Sequence, residues 1–196
     1  MNQDRDSYVR KAPPVELPGE EYRPDISEAA SGDYRADYPR RPVRLIREQR
    51  ELEELAAILG EESVLALDVE TTLRTMSLCL IQLSASRFNA VIDVFRARDL
   101  RPIFRILEDP AVRIVIHNAP FERRVLGRLG CRISNVFDTL RASRNLRGRK
   151  IAGGHSLGMV CRRELGIRLD KRYQRSNCSL RPLSPAQLNY SALDAE

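Results

Sequence analysis

The sequence predicts an α/β domain that follows a polar N-terminal tail. The chain has 196 residues, which suffices for one well-buried domain and is short for two. From residue 47 onward, short apolar runs typical of buried strands are mixed with segments whose apolar residues recur at helical spacing. Three of these strand-like runs follow one another with no helical segment between them. This order predicts a three-strand meander near the start of the domain.

Residues 1–43 are expected to form a disordered tail. Prolines and charged residues dominate this segment, and its apolar residues follow neither the helical nor the strand period. Residues 44–196 are expected to form the folded domain.

The composition favours a polyanionic partner and argues against several classes of protein. Charged residues make up 31% of the chain, and the net charge is +6, which suits nucleic acid. The four cysteines show no C-x-x-C spacing, and two histidines cannot complete a zinc site. No apolar stretch approaches the roughly 20 residues of a membrane span. We therefore expect a soluble, cytoplasmic protein with free thiols and no membrane partner.

The first strand of the predicted meander carries the candidate chemistry. An apolar run at 64–67 leads directly into Asp68-Val69-Glu70. Because side chains alternate along a strand, Asp68 and Glu70 point to one face while their apolar neighbours point into the core. Two adjacent carboxylates are costly unless a cation or a proton neutralises them, and a divalent metal is the simplest remedy. A surface strand whose acids face water would show the same pattern.

Helix and strand signals predict the elements on either side of this strand. A helix with apolar residues at 52, 55, 56 and 59 precedes it and ends at Gly60. The runs 78–81 and 88–94 predict the second and third strands of the meander. Asp99 is expected to cap the next helix, which stops at Asp109-Pro110, and residues 112–116 predict a further buried strand.

The strand at 112–116 leads into the segment His117-Asn118-Ala119-Pro120-Phe121-Glu122. Proline suits the first position of a helix, because a backbone N–H there would have no helical partner. The helix is expected to run to Gly130, with Glu122 in its first turn. Its buried side should carry Phe121, Val125, Leu126 and Leu129.

A second strand-to-helix junction follows at Asp138-Thr139, after the short run Val136-Phe137. Asp138 suits the capping position of this helix. Within residues 140–147, Arg141, Arg144 and Arg147 recur every three residues and so share one face. Such a row of arginines can bind phosphate groups. A solvent-exposed helix face without a binding role explains the same spacing equally well.

The last part of the chain predicts two helices joined by a polar loop. The first helix starts after Ser156 and ends at Gly166, and residues 169–183 form an irregular segment rich in arginine. The motif Ser184-Pro185-Ala186-Gln187 is a capping box with proline at the first helical position, so the start of the last helix is well specified. In that helix Tyr190 and Asp194 lie one turn apart on the same face.

Together these segments resemble the ribonuclease D branch of the DEDD exonuclease superfamily. The resemblance covers residues 44–196 and rests on LALDVETT, LCLIQLS, VIHNAPFERRVL, VFDTLRAS, SLGMVCRRELGIRLDK, QRS and RPLSPAQLNYSALDAE in this order. It implies a ribonuclease H-like fold, in which helices flank a mixed β-sheet. It also implies a metal-dependent hydrolysis that removes nucleotides one at a time from a 3′ end as 5′-monophosphates.

The resemblance also assigns roles to individual residues. Asp68, Glu70, Glu122 and Asp194 would hold two divalent cations, and Tyr190 would orient or help to deprotonate the attacking water. Ligands that are all oxygen atoms favour Mg²⁺ or Mn²⁺ over zinc. His117 and Asp138 would support the site through hydrogen bonds. Residues expected to contact nucleic acid are Thr71, Asn118, Phe121, Arg141, Arg144, Arg147 and Arg175.

Three departures from the family pattern affect the expected activity. Glu122 stands where the second motif normally has Asp, which predicts lower activity or a preference for manganese, because magnesium demands near-ideal octahedral geometry. Cys178 stands where Trp is usual, which predicts lost apolar packing near the third motif. The helical nucleic-acid-binding domains of full-length ribonuclease D do not follow Asp194 in this sequence, which predicts weak substrate grip or help from a partner protein.

Three functions are compatible with the sequence. The favoured one is a 3′–5′ exoribonuclease that acts on structured RNA 3′ ends or short oligoribonucleotides. A proofreading-type DNA exonuclease would use the same catalytic residues, because the sequence does not show which group reads the 2′-hydroxyl. An inactive exonuclease fold that binds RNA or serves as a scaffold is the third. The oligomeric state is not fixed by the sequence.

Overall fold

A mixed β-sheet of seven strands forms the centre of the computed structural model, which describes residues 18–22, 35–36, 39–174 and 176–196. The described residues form nine strands, of which seven belong to this sheet: β1 (Glu20–Tyr22), β2 (Arg35–Ala36), β3 (Val43–Ile46), β4 (Val64–Thr71), β5 (Leu78–Ser84), β6 (Asn89–Asp93), β7 (Arg113–Ile116), β8 (Val136–Asp138) and β9 (Arg168–Leu169). Their order across the main sheet is β1-β3-β6-β5-β4-β7-β8, and β2 pairs with β9 in a separate two-stranded sheet.

The predicted meander lies in the middle of this sheet. β4 pairs antiparallel with β5, and β5 pairs antiparallel with β6. Parallel strands extend the meander on both sides, since β3 pairs with β6, β7 with β4, and β8 with β7. The prediction of an α/β domain with a mixed sheet is therefore confirmed, and β4 lies inside the sheet rather than at its edge.

The helices cover the two faces of the sheet with different apolar clusters. They are α1 (Gln49–Leu59), α2 (Arg101–Glu108), α3 (Pro120–Gly127), α4 (Thr139–Arg147), α5 (Leu157–Val160), which a π-helical segment at Cys161–Leu165 continues, and α6 (Pro185–Ala195). Buried residues of α1, α2 and α3 pack in one cluster with Leu65, Leu67 and Val69 of β4. Residues of α6 pack in a second cluster with β3, β5 and β6. Since side chains alternate along β4, Asp68 and Glu70 point to the α6 side.

Three helix predictions need correction near the helix ends. α3 stops at Gly127 rather than at Gly130, and Leu129, predicted to be buried, is 51% exposed because it lies in the turn beyond the helix. The N-cap of α2 is Leu100 rather than Asp99, whose Oδ1 instead accepts the N–H of Arg101 at 3.2 Å. The helix predicted between Ser156 and Gly166 is α5 followed by the π-helical turn.

Two pieces of the predicted tail form strands. β1 pairs antiparallel with β3, and Glu20 and Glu21 form ion pairs with Arg47 and Arg44, each at 2.5 Å. β2 pairs in parallel with β9. The partners of these two pieces are distant in sequence, so the local composition of the tail could not indicate them. Residues 1–17, 23–34 and 37–38 lie outside the described residues.

All four cysteines carry free thiols, as predicted. Cys178, which replaces the usual Trp, is 5% exposed and packs in the second cluster with Cys79 and Leu188. Among the helices in the described ranges, none has the length and apolar character needed to cross a lipid bilayer.

Candidate active site

Three carboxylates from distant segments converge between β4 and α6. Asp68 and Glu70 on β4 and Asp194 on α6 each offer an oxygen atom, and these atoms all lie within 4.8 Å of one another. We refer to these three residues as the carboxylate cluster. A β-bulge between Glu70 and Thr71 interrupts the pairing with β5 at this point, as bulges often do beside a functional site.

The position of Asp194 follows from the way α6 begins and packs. Ser184 Oγ accepts the N–H of Gln187 at 3.2 Å, and Gln187 Oε1 accepts the N–H of Ser184 at 3.0 Å, so the predicted capping box is present. Leu188 and Ala192 are buried in the second cluster. These contacts fix the rotation of the helix and direct Asp194 toward β4.

Tyr190 belongs to the same site. Its hydroxyl donates a hydrogen bond to Asp194 Oδ2 at 2.5 Å, which is the contact expected for side chains one turn apart. The ring is 7% exposed. Burial, the charge of Asp194 and this hydrogen bond all raise the pKa of Tyr190, so in the absence of cations the phenol is a neutral hydrogen-bond donor.

The carboxylate cluster carries more negative charge than its surroundings neutralise. Burial raises the pKa of Asp68 well above its usual range, and the charges of Asp194, Glu70 and Glu122 raise it further. The pKa of Glu70 is raised to about 8, first by burial and then by Cys178 and Asp194. Burial also raises the pKa of Asp194. Such a cluster is stable in its ionised form only with a cation beside it.

Glu122 lies beside the cluster rather than within it. It occupies the first turn of α3, is 3% exposed, and its Oε2 atom is buried without a hydrogen-bond partner in the described part of the chain. Burial raises the pKa of Glu122 to about 7. Its charge contributes to the raised pKa of Asp68, and its oxygens do not join the set within 4.8 Å.

Asp138 and His117 connect the ends of β7 and β8. Asp138 caps α4 as predicted, accepting the N–H groups of Leu140 at 2.9 Å and Arg141 at 3.2 Å. The same carboxylate accepts the N–H groups of Asn118 and Ala119, both at 3.2 Å. One side chain therefore holds the turns before α3 and α4 together.

His117 makes its hydrogen bonds within the fold. Its Nδ1 lies 2.9 Å from Thr139 Oγ1. Burial lowers its pKa, and the charge of Asp138 and a hydrogen bond with the backbone of His155 oppose this shift. These contacts anchor the turn that carries Glu122.

The residues predicted to contact nucleic acid differ in their exposure to solvent and in whether another side chain already binds them. Arg141 and Arg144 are exposed on α4, whereas Arg147 pairs with Glu164, whose Oε2 lies 2.7 Å from its Nη2. Thr71 ends β4 beside the carboxylate cluster. Asn118 is exposed with φ of 72°, and the half-buried ring of Phe121 lies 5.9 Å from the guanidinium carbon of Arg124. Arg175 lies outside the described residues.

Two basic residues near the site were not predicted. Lys171 is half-buried, and its charge lowers the pKa values of His117, Cys161 and Asp194. Arg181 forms an ion pair with the buried Asp93. Both lie in segments that carry the family resemblance, but neither has a periodic spacing that would have indicated its partner.

We predict that the metal-free protein loses stability as the pH rises from about 4.5 to about 8. Glu70 and Glu122 keep their protons in the folded state up to pH values of about 8 and about 7, whereas their ordinary pKa is near 4.5. Between these values the folded state binds more protons than the unfolded state, so the free energy of unfolding falls as the pH rises. Melting temperatures in EDTA between pH 5 and 8.5 measure this decline.

The double variant Glu70→Gln, Glu122→Gln is the control for the pH experiment. Its melting temperature should depend less on pH, because these two groups no longer titrate and only Asp68 and Asp194 keep raised pKa values in the cluster. A flat profile for the unaltered protein in EDTA would contradict the prediction.

Comparison with known proteins shows the family to which this chain belongs. The sequence model of the 3′–5′ exonuclease family matches residues 43–196. The chain is 32% identical over 159 residues to protein RRP6-like 1 of Arabidopsis thaliana, an alignment that covers 78% of this chain and 24% of that protein. It is 34% identical over 158 residues to ribonuclease D of Granulibacter bethesdensis, covering 76% of this chain and 38% of that protein.

The fold also matches a solved structure. The crystal structure of Escherichia coli RNase D superimposes with a TM-score of 0.70 and 26% identity, covering 78% of this chain and 41% of that chain. The chain thus spans less than half the length of each of these relatives. The predicted ribonuclease H-like fold and the predicted resemblance to ribonuclease D are confirmed, and the chain belongs to the family of 3′–5′ exonucleases.

Proposed function

We propose that this protein is a metal-dependent 3′–5′ exoribonuclease that releases 5′-mononucleotides. The convergence of Asp68, Glu70 and Asp194 within 4.8 Å carries the proposal. Three buried or half-buried carboxylates at this distance repel one another strongly, so the arrangement suits a site that binds cations. A structural role alone would be served better by apolar side chains.

The donor set fits two divalent cations. Asp68, Glu70 and Asp194 would hold one ion, and Asp68 and Glu122 would hold the second, directly or through water. The buried Glu122 Oε2, which has no hydrogen-bond partner among the described residues, is available for this purpose. Donors that are all carboxylate oxygens favour Mg²⁺ or Mn²⁺. When bound, two such ions lower the pKa of the attacking water and offset the charge of the phosphate and of the leaving oxygen.

The protein itself orients the reacting groups. Tyr190 already holds its hydroxyl against Asp194, where the phenol can orient the attacking water. His117 and Asp138 fix the turn before α3, which sets the position of Glu122. Tyr190 acts on the attacking water, whereas His117 and Asp138 hold the turn in place. None of these residues forms a covalent bond with the substrate.

RNA is the proposed substrate. Two of the similar proteins support this assignment, namely the ribonuclease D of Granulibacter bethesdensis and the RNase D of Escherichia coli, an exoribonuclease involved in structured RNA processing. Arg141 and Arg144 offer exposed cations for the phosphate backbone, and Lys171 adds a positive charge beside Asp194. Thr71, Asn118, Phe121 and Arg175 complete the proposed contacts with the 3′ end. The four free thiols are consistent with action in a reducing cytoplasm.

Hydrolysis of oligomers tests this function. The purified protein is incubated with 5′-labelled RNA and DNA of equal sequence, in Mn²⁺, Mg²⁺ or EDTA. Stepwise shortening of RNA from a free 3′-hydroxyl, with release of 5′-monophosphates and no reaction for the Asp68→Ala variant, is the expected result. Faster shortening of DNA than of RNA would instead support a DNA exonuclease.

Binding without hydrolysis would support the non-catalytic alternative. In that case the protein would retain labelled RNA in either metal, and Asp68→Ala would bind RNA as the unaltered protein does. The absence of Mn²⁺ binding by isothermal titration calorimetry would overturn the proposed cation site.

The substitution Glu122→Asp is expected to raise the rate in Mg²⁺ relative to the rate in Mn²⁺ by roughly tenfold, the lower end of effects from changes around metal ligands. Aspartate is one methylene shorter, so its carboxylate can accommodate the strict octahedral geometry of magnesium with more of its waters in place. Initial rates at saturating concentrations of each metal measure this ratio. Glu53→Asp on α1, where the side chain is exposed, should leave the ratio unchanged, and an unchanged ratio for Glu122→Asp would contradict the prediction.

A further inference from the structure

A partly buried ion pair joins the sheet to the loop that precedes α6. Asp93 ends β6 and is 1% exposed. Its carboxylate accepts two hydrogen bonds from Arg181, one from Nε at 2.5 Å and one from Nη2 at 2.8 Å. Arg181 Nη1 donates to the carbonyl oxygens of Cys178 at 2.7 Å and of Leu180 at 2.8 Å. All three guanidinium nitrogens are thus engaged, and the group also lies 5.0 Å from the centre of the Phe95 ring.

This pair lies at the same level of the sheet as the carboxylate cluster. Asp93 is opposite Leu80 on β5, and Leu80 is opposite Glu70 on β4. Because adjacent strands lie about 4.8 Å apart, the backbones of Asp93 and Glu70 are separated by about 10 Å. Asp93 is not among the residues whose oxygen atoms converge in the cluster, and Arg181 occupies both oxygens of its carboxylate.

One connection from the ion pair to the cluster passes through Cys178. Arg181 binds the carbonyl oxygen of Cys178. The side chain of Cys178 packs in the second cluster with Cys79 and Leu80 of β5, and Leu80 is opposite Glu70 on β4. Arg181 thus holds the part of the loop that packs on β5, next to the strand that carries Glu70.

A second connection passes through the start of α6. Arg181 is followed closely by Ser184, the first residue of the capping box. The side chain of Gln187, the other member of that box, donates to Ser176 Oγ at 3.4 Å and to the carbonyl oxygen of Asn177 at 3.3 Å. The loop at 176–183 and the first turn of α6 therefore form one hydrogen-bonded unit, and Arg181 attaches this unit to β6.

The contacts between Asp93 and Arg181 are better explained by a role in orienting the loop at 176–183 than by a contribution to the stability of the fold. A buried ion pair gains little net stability, because the loss of hydration offsets most of the attraction, and apolar residues of similar volume often serve as well. A bidentate guanidinium–carboxylate contact, in contrast, fixes the orientation of the two side chains relative to each other, since both groups are planar and their hydrogen bonds must align.

We propose that Asp93 and Arg181 are positioning residues for the carboxylate cluster. The pair fixes the loop at 176–183 on β6 and thereby sets where α6 presents Asp194 to Asp68 and Glu70. This inference rests on the proposed function, because it assigns to the pair the geometry of the proposed cation site.

The substitution Arg181→Lys tests the inference in the full chain. Lysine keeps the positive charge but cannot form the bidentate contact or reach both carbonyl groups. We expect the affinity for Mn²⁺, measured by titration calorimetry, to fall about 10- to 100-fold, as for other residues that orient metal ligands. Amide hydrogen exchange at 176–190 should become faster. The kcat on an RNA oligomer should fall at low Mn²⁺ and recover at high Mn²⁺, with little change in KM.

A matched control exists at the surface. Arg101 makes the same bidentate contact with Asp99, through Nε at 2.7 Å and Nη2 at 2.5 Å, but both side chains are more than one-third exposed. Arg101→Lys should change neither the affinity for Mn²⁺ nor the exchange at 176–190.

A second variant separates orientation from folding. The double substitution Asp93→Leu, Arg181→Met replaces the ion pair with apolar groups, and we expect it to fold and to bind Mn²⁺ as weakly as Arg181→Lys does. Wild-type affinity in either variant would overturn the inference, and so would a failure of both variants to fold, since the pair would then be structural. If the unaltered protein itself does not bind Mn²⁺, the proposed function fails. Unchanged amide hydrogen exchange at 176–190 in the variants would separately overturn the positioning role.

Discussion

Replacing Asp68 with asparagine is expected to lower kcat/KM for RNA by at least about 10³-fold, beyond the 10- to 100-fold typical of residues that only orient metal ligands. The same substitution is expected to raise the melting temperature of the metal-free protein. Asparagine keeps the shape of aspartate but removes a charge that burial, Asp194 and Glu70 all disfavour. Each kcal/mol of relieved repulsion should raise the melting temperature by about 2–4 °C for a chain of this size. One substitution thus separates the stability of the fold from the activity of the site.

Scanning calorimetry in EDTA and in Mn²⁺ measures the effect on stability, and initial rates on an RNA oligomer measure the effect on activity. Mn²⁺ should raise the melting temperature of the unaltered protein, because a ligand that binds only the folded state stabilises it. The Asp68→Asn variant should show a much smaller rise. Glu53→Gln removes an exposed acid on α1 and should change neither quantity. A metal-free Asp68→Asn protein that melts below the unaltered one would show that repulsion does not dominate at this position.

Tyr190→Phe is expected to lower kcat by about 10²- to 10⁴-fold, the range of general acid–base groups, with little change in KM. The ring is buried in α6 and the substitution removes only the hydroxyl, so packing is retained. The lost hydrogen bond to Asp194 has a second effect. Because this bond lowers the pKa of Asp194, its removal should raise that pKa and modestly weaken Mn²⁺ binding at neutral pH.

Single-turnover rates at increasing Mn²⁺ distinguish the two roles of the hydroxyl. A deficit that persists at saturating Mn²⁺ is expected if Tyr190 acts on the attacking water. A deficit that disappears would show that Tyr190 acts only by adjusting Asp194. Tyr173→Phe is the matched control, since this tyrosine is 36% exposed and should lose no activity.

The parts of the site that local rules determine could be predicted from the sequence. Strand alternation places Asp68 and Glu70 on one face of β4, and the capping box starts α6 at Ser184, as expected. The resemblance to ribonuclease D then indicated that Asp194 meets β4. Periodicity alone could not, because it gives the face of an element and not the element that covers it.

Contacts between distant residues could not be predicted in the same way. Arg147 shares a helix face with Arg141 and Arg144, but the sequence does not show that Glu164 pairs with it. Likewise, nothing in the spacing of Asp93 and Arg181 indicates their contact. The same holds for β1, whose ion pairs with residues in and just after β3 attach it to the edge of the sheet.

The division of the site between β4 and α6 has a consequence for biosynthesis. A nascent polypeptide that has emerged only as far as β9 carries Asp68, Glu70 and Glu122 but neither Tyr190 nor Asp194. It holds an incomplete set of ligands and lacks the tyrosine that is proposed to orient the attacking water. On the proposed function, a nascent chain therefore has no hydrolytic activity until α6 has emerged and packed beside β4.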